Sequence, residues 1–94
     1  MATFLMFGKY SPDSLKGASA ARTKKALAVV KKFQGQVDAM YATLGPHDLV
    51  VVASFPDTAQ AMQASIALTK LTGIGFATAP AVAVDEFDKL LAGA

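Results

Sequence analysis

The residues with the greatest chemical capacity lie together in mid-chain, at His47 and Asp48. His47 is the only histidine, and an imidazole is the natural proton carrier near neutral pH. It is a candidate general base or an axial ligand for haem iron. Asp48 follows it at the end of the turn Gly45-Pro46-His47-Asp48. An aspartate there ordinarily bonds backbone N–H groups and shapes the turn. Adjacent side chains of an extended pair diverge, so Asp48 need not orient the imidazole. Tyr10 and Tyr41 are the only tyrosines, and each brings a hydroxyl that can donate into a pocket. The plainer reading is a half-buried ring with its hydroxyl at the rim. His47, Asp48, Tyr41 and Tyr10 are therefore the candidate ligand-binding residues, and His47 alone is a candidate for catalysis.

Other chemistry is thinly represented. A single histidine and no cysteine leave no thiolate, no disulfide and no Cys- or His-cluster for a metal. No metal is expected, and haem is the one cofactor that His47 leaves open. Gly73-Ile74-Gly75 lacks the rest of a dinucleotide fingerprint. Lys9 could meet an anion at a strand end, and Lys24, Lys25, Lys31 and Lys32 could meet phosphates or an acidic partner; a solvated surface is the ordinary reading of both. The net charge of +2 is too small to argue for nucleic acid.

The elements that must position these residues are legible in the pattern. Thr3–Lys9 reads as a strand with Phe4 and Met6 on one side and Leu5 and Phe7 on the other. Ser11-Pro12-Asp13 starts a turn or short helix, and 14–19 reads as a linker. Residues 20–34 form an amphipathic helix with Ala26, Leu27, Val29, Val30 and Phe33 inward and Gly35 as its C′ stop. Val37–Leu44 is a second strand, with Val37, Ala39, Tyr41 and Thr43 on one side. The turn at 45–48 then leads into a third strand, Leu49–Phe55, apolar on both faces. Asp57 caps a helix over 58–72 with Met62, Ile66 and Leu68 or Leu71 inward, closed by Gly73. Residues 74–84 form a fourth strand with Ile74, Phe76, Thr78 and Val82 on one face and alanines on the other. Pro80 marks an edge or a bend, and Asp85-Glu86 opens a short final helix carrying Phe87, Leu90 and Leu91.

The order β-α-β-β-α-β is that of the ferredoxin-like α+β fold: a four-stranded antiparallel sheet, here with a short C-terminal helix. The length of 94 residues points to one domain over 1–94. Hydrophobic residues make up 53% of the chain and charged ones 17%, more apolar matter than a small monomeric core readily hides. Two helices cover one sheet face only, while the first and third strands are apolar on both. At about 25 cal/mol per Å2, leaving the second face wet forgoes several kcal/mol. A second sheet stacked face to face removes that cost, giving a homodimer or higher homo-oligomer through the sheet face. The alternative is that the terminal helix folds over this face within one chain.

Four segments sharpen the picture: Phe7-Gly8-Lys9-Tyr10-Ser11-Pro12, the stretch from Tyr41 through Gly45-Pro46-His47-Asp48 to Val52, Pro56-Asp57, and Glu86-Phe87-Asp88-Lys89-Leu90-Leu91. Together they resemble the GYD domain family, small bacterial and archaeal proteins related to dimeric α/β-barrel proteins. The resemblance covers nearly the whole chain and implies that fold and a dimer, without a reaction. The family takes its name from a Gly-x-Tyr-Asp-like turn. Gly45 and Asp48 fit it, and His47 stands in the Tyr place, so a role carried by that Tyr hydroxyl does not transfer.

The expectation is a small homodimeric binding or sensing module that holds an apolar small molecule in a cleft between sheet and helices, near Tyr41, His47 and the first strand. The alternatives are a cofactor-independent enzyme, monooxygenase- or isomerase-like, with His47 as base, and a structural assembly protein. RNA binding is disfavoured because the third strand offers Val50, Val51 and Val52 where an RNA-binding sheet wants aromatics. No stretch approaches the ~20 apolar residues that span a bilayer, and the short apolar run near Met1 has no basic flank. A cytoplasmic protein without a membrane partner is expected.

Overall fold

Alternation in the strands decides the whole architecture. The computed structural model describes residues 1–94. Strand β1 (Ala2–Lys9) is followed by a short helix α1 (Pro12–Lys16) and the longer α2 (Ala20–Lys32). Strands β2 (Gln36–Ala42) and β3 (Leu49–Phe55) form a hairpin, then come α3 (Thr58–Thr72), β4 (Gly75–Ala81) and α4 (Val84–Gly93). The strands make one antiparallel sheet in the order β2-β3-β1-β4. This is the ferredoxin-like α+β arrangement with α1 and α4 added. β4 is an edge strand, as Pro80 requires.

Helices α2 and α3 lie on one face. Phe4 and Met6 of β1, Val51, Ala53 and Phe55 of β3, Val30 of α2 and Ala61, Ala64 and Leu68 of α3 form the core. Phe4 and Phe55 meet edge to face, their centroids 5.9 Å apart. The opposite side chains of β1 and β3, namely Leu5, Phe7, Val50 and Val52, are only half-buried because no layer lies over them.

Five expectations need correction. The segment read as a linker from residue 14 contains α1's second half. Ser11 and Ser14 form a reciprocal capping box, Pro12 opens the helix, and Ser14 is buried. Gly35 is not the C′ residue of α2. Gln34 takes the left-handed conformation at φ 66°, while Gln34 N–H donates to Lys31 O and Gly35 N–H to Val30 O, a Schellman closure. Gly35 is needed one position later for space, since a Cβ there would run into the Phe55 ring and lie 2.9 Å from a Val30 methyl.

In α3 the inward side belongs to Ala61, Ala64 and Leu68, whereas Met62 and Ile66 are 58% and 55% exposed. Small side chains let the helix approach the sheet closely, and tertiary spacing overrides residue size. In β2 a bulge between Val37 and Ala39 breaks the alternation. Val37 packs against the core with Met40, while Ala39 and Tyr41 pair with Val52 and Val50 on the open face. Finally, β4 ends at Ala81, so Val82 lies outside it, and α4 starts at Val84 and does not fold over the open face: every residue from Val82 to Ala94 is exposed.

Other sequence signals hold as read. The Asp57 carboxylate accepts from Gln60 N at 2.8 Å at the α3 N-cap. Gly73 closes α3 in the left-handed region at φ 75°. No helix is long and apolar enough to cross a membrane.

Candidate functional site

The four candidate side chains lie at one end of the sheet, where β1 finishes and the β2–β3 hairpin turns. They divide into two pairs, one stapling the hairpin turn to the end of β1 and one on the open face.

Tyr10 and Asp48 form the first pair. The Asp48 carboxylate accepts the Tyr10 backbone N–H at 2.9 Å and sits 3.5 Å from the Lys9 ammonium. The Asp48 N–H donates to Gly8 O at 2.9 Å, and its carbonyl accepts Thr43 N–H at 2.9 Å. The Thr43 hydroxyl donates to His47 O at 2.7 Å, closing the turn. Asp48 thus staples the hairpin turn to the end of β1. It does not face the imidazole. An open groove of about 540 Å3 runs past Lys9, Tyr10, Leu15, Leu44 and Asp48.

Arg22 has no sequence signal that marks it, yet it braces this corner. Its guanidinium donates to Ser14 O at 2.5 Å and lies 5.9 Å from the Tyr10 ring centroid, a cation–π distance. The Ser11–Ser14 capping pattern is the signal by which α1, its docking point, can be read in advance.

His47 and Tyr41 form the second pair, on the open face. The imidazole lies over the Phe7 ring, with centroids 4.9 Å apart and planes inclined by 37°. Phe7 is opposite Val50, which is opposite Tyr41 on the next strand. His47, Phe7, Val50 and Tyr41 therefore make one continuous aromatic and aliphatic row. Tyr41 is 61% exposed. Ala77 completes the row on the other side of Phe7, so the face is tall at the β2 edge and low at the β4 edge.

The space between sheet and helices is smaller than a ligand cleft. An apolar cavity of about 80 Å3 lies between α2, α3 and the sheet, bordered by Leu27, Val30, Val51, Leu68, Ile74 and Phe76, with Tyr10 at its margin. Ligand pockets usually run from about 300 to 1,000 Å3. Neither Tyr41 nor His47 borders it. The compartment expected near Tyr41, His47 and the first strand thus splits: of the four candidates, only Tyr10 touches the helix side, and the aromatic set faces away from it. No three His, Asp or Glu side chains gather as a metal-ligand set.

Comparison with known proteins gives a family. The GYD domain family matches residues 4–91 of the chain, and the chain belongs to that family. No curated protein and no solved structure gives a significant match.

Proposed function

We propose that this GYD-domain chain works as a homodimeric binding module. Two open sheet faces stack, and an apolar or aromatic small molecule is held between them beside Phe7, His47 and Tyr41. The observation that carries this reading is the open face itself. Leu5, Phe7, Val50, Val52 and Tyr41 form a contiguous apolar surface on the two central strands and one edge, and nothing in the same chain covers it. Stacked sheets sit about 10 Å apart, which leaves room for a flat molecule wherever facing side chains are small. Native mass spectrometry tests both parts together. Twice the chain mass with a retained small molecule supports the reading; a monomer at micromolar concentration removes it.

A second reading, a cofactor-independent enzyme, draws on the exposed imidazole lying over Phe7. Asp48 is committed to Tyr10 and Lys9, so His47 would act as base without a carboxylate partner from its own turn. With an identified substrate, unchanged turnover in His47→Ala would eliminate that role.

A further inference from the structure

The C-terminal helix has no place in its own chain. Val84, Phe87, Leu90 and Leu91 give α4 an apolar stripe, and all of them are more than half exposed. The radius of gyration is 14.1 Å, against about 12 Å for a compact domain of this length, because α4 projects from the body. An isolated ten-residue helix is marginal in water, so α4 needs a surface to dock on.

A surface of matching chemistry exists at the far edge of the sheet. Lys24, Leu27, Ala28 and Lys31 of α2 and Gln36 and Val37 of β2 line a groove of about 400 Å3. Its floor is apolar and lysines stand at each end of the α2 stripe, seven residues apart. Helix α2 carries Arg22, Lys24, Lys25, Lys31 and Lys32 and no acidic residue. Helix α4 carries Asp85, Glu86 and Asp88 against Lys89 alone. None of these charges is ion-paired within the chain, whose one such pair is Lys9–Asp48.

The chain's own α4 cannot start at that groove. Three inter-strand spacings, about 14 Å, separate the β4 and β2 edges, and the link Val82–Ala83 spans at most about 11 Å. A second copy solves the geometry. If two open faces stack about a two-fold axis parallel to the strands, the β4 edge of one copy lies over the β2 edge of the other, and levels along the strands are preserved. Tyr41 and Ala77 are on one level, so each Tyr41 meets the other copy's Ala77, large against small. An axis across the strands would instead oppose edge β2 to edge β2, and the alanines of β4 to alanines. The same registers put Ala81 level with Gln36, through Thr3 and Ser54. The end of β4 thus arrives beside the groove of the other copy, with a link long enough to cross the ~10 Å between sheets.

We infer that α4 of each copy docks in the lysine-rimmed α2–β2 groove of the other, its apolar stripe on Leu27 and Val37 and its carboxylates beside Lys24 and Lys31. This inference rests on the sheet-to-sheet dimer proposed above. The sequence thus encodes an exchanged clamp, a helix-in-groove contact made twice per dimer.

Charge exchange tests it. Lys24→Glu/Lys31→Glu and Asp85→Lys/Asp88→Lys should each weaken the homodimer by roughly tenfold or more at low salt, in analytical ultracentrifugation. Mixed, the two variants should form a heterodimer in preference to either homodimer, since only that pairing matches charges in both grooves. Equal statistical mixing, or homodimers as tight as the parent chain, would overturn the clamp. Val52→Lys serves as the separate control on the open face. A parent chain that is monomeric defeats the dimer and the clamp together. A dimer broken by Val52→Lys yet indifferent to charge exchange defeats the clamp alone.

Discussion

The two faces of the sheet are built from alternate residues of the same strands and meet opposite fates. On one side Phe4, Met6, Val51, Ala53 and Phe55 are sealed under α2 and α3. On the other, Leu5, Phe7, Val50 and Val52 are equally apolar and stay half-exposed. Only 12 of 94 residues are buried, although hydrophobic residues make up 53% of the chain. Much of the surplus lies on the open face, along α4 and at Met62 and Ile66, beside separate exposed side chains such as Leu15 and Leu44. The difference teaches that the closed face supplies stability within one chain, while the open face gains nothing from its own chain and is the surface on which the proposed dimer and ligand site rest.

That contrast can be broken at either face. Phe55→Ala should have the largest effect, lowering the unfolding free energy by about 3–5 kcal/mol through lost burial and a cavity. Chemical denaturation of a monomeric background such as Val52→Lys checks it, with no dependence on protein concentration. Val52→Lys itself should weaken self-association by roughly a hundredfold, because a lysine buried between stacked sheets has no partner charge. Light scattering would show the mass fall to that of one chain, with the helical circular dichroism retained. If Val52→Lys leaves the mass unchanged, the open face is not the interface.

Smaller effects sharpen the comparison. Gly35→Ala should cost about 1–3 kcal/mol by overpacking against Phe55 and Val30, measured as a lower denaturation midpoint. Asp48→Ala should cost about 1–2 kcal/mol by freeing the Tyr10 N–H and the turn, without changing oligomeric mass. The Lys9 pair adds little to this, being largely solvated. Met62→Gln should alter stability by no more than about 0.5 kcal/mol, in contrast to Leu68→Ala on the same helix, where about 2–5 kcal/mol is expected. A large loss at Met62 would mean that the outer side of α3 is also covered in the assembly.

One part of the candidate site, the turn at Asp48, was legible from the residues alone. Asp48 as a turn-builder follows from its position after Gly45-Pro46, and the contacts to Tyr10, Gly8 and Thr43 bear this out. The side on which Tyr41 stands was not legible. One extra residue at the β2 bulge reverses every later side chain of that strand, and no local residue type announces it. Nor does α3 show in sequence that its alanines face inward. Helical spacing offers Met62 and Ile66 as a possible inner stripe, and only the closeness of helix to sheet selects Ala61 and Ala64.

What the sequence determined by itself is local: strand and helix positions, the caps at Asp57 and Gly73, the ferredoxin-like order, and the double apolarity of β1 and β3. These depend on alternation, helical period and backbone preference within a few residues. What only the tertiary structure decided is relational: the opposite placement of Tyr10 and Tyr41, the laying of His47 on Phe7, the small volume under the helices, and the isolation of α4 from its own domain. Those depend on register and on the distance between layers, which are set by long-range packing and have no signature in any short stretch of chain.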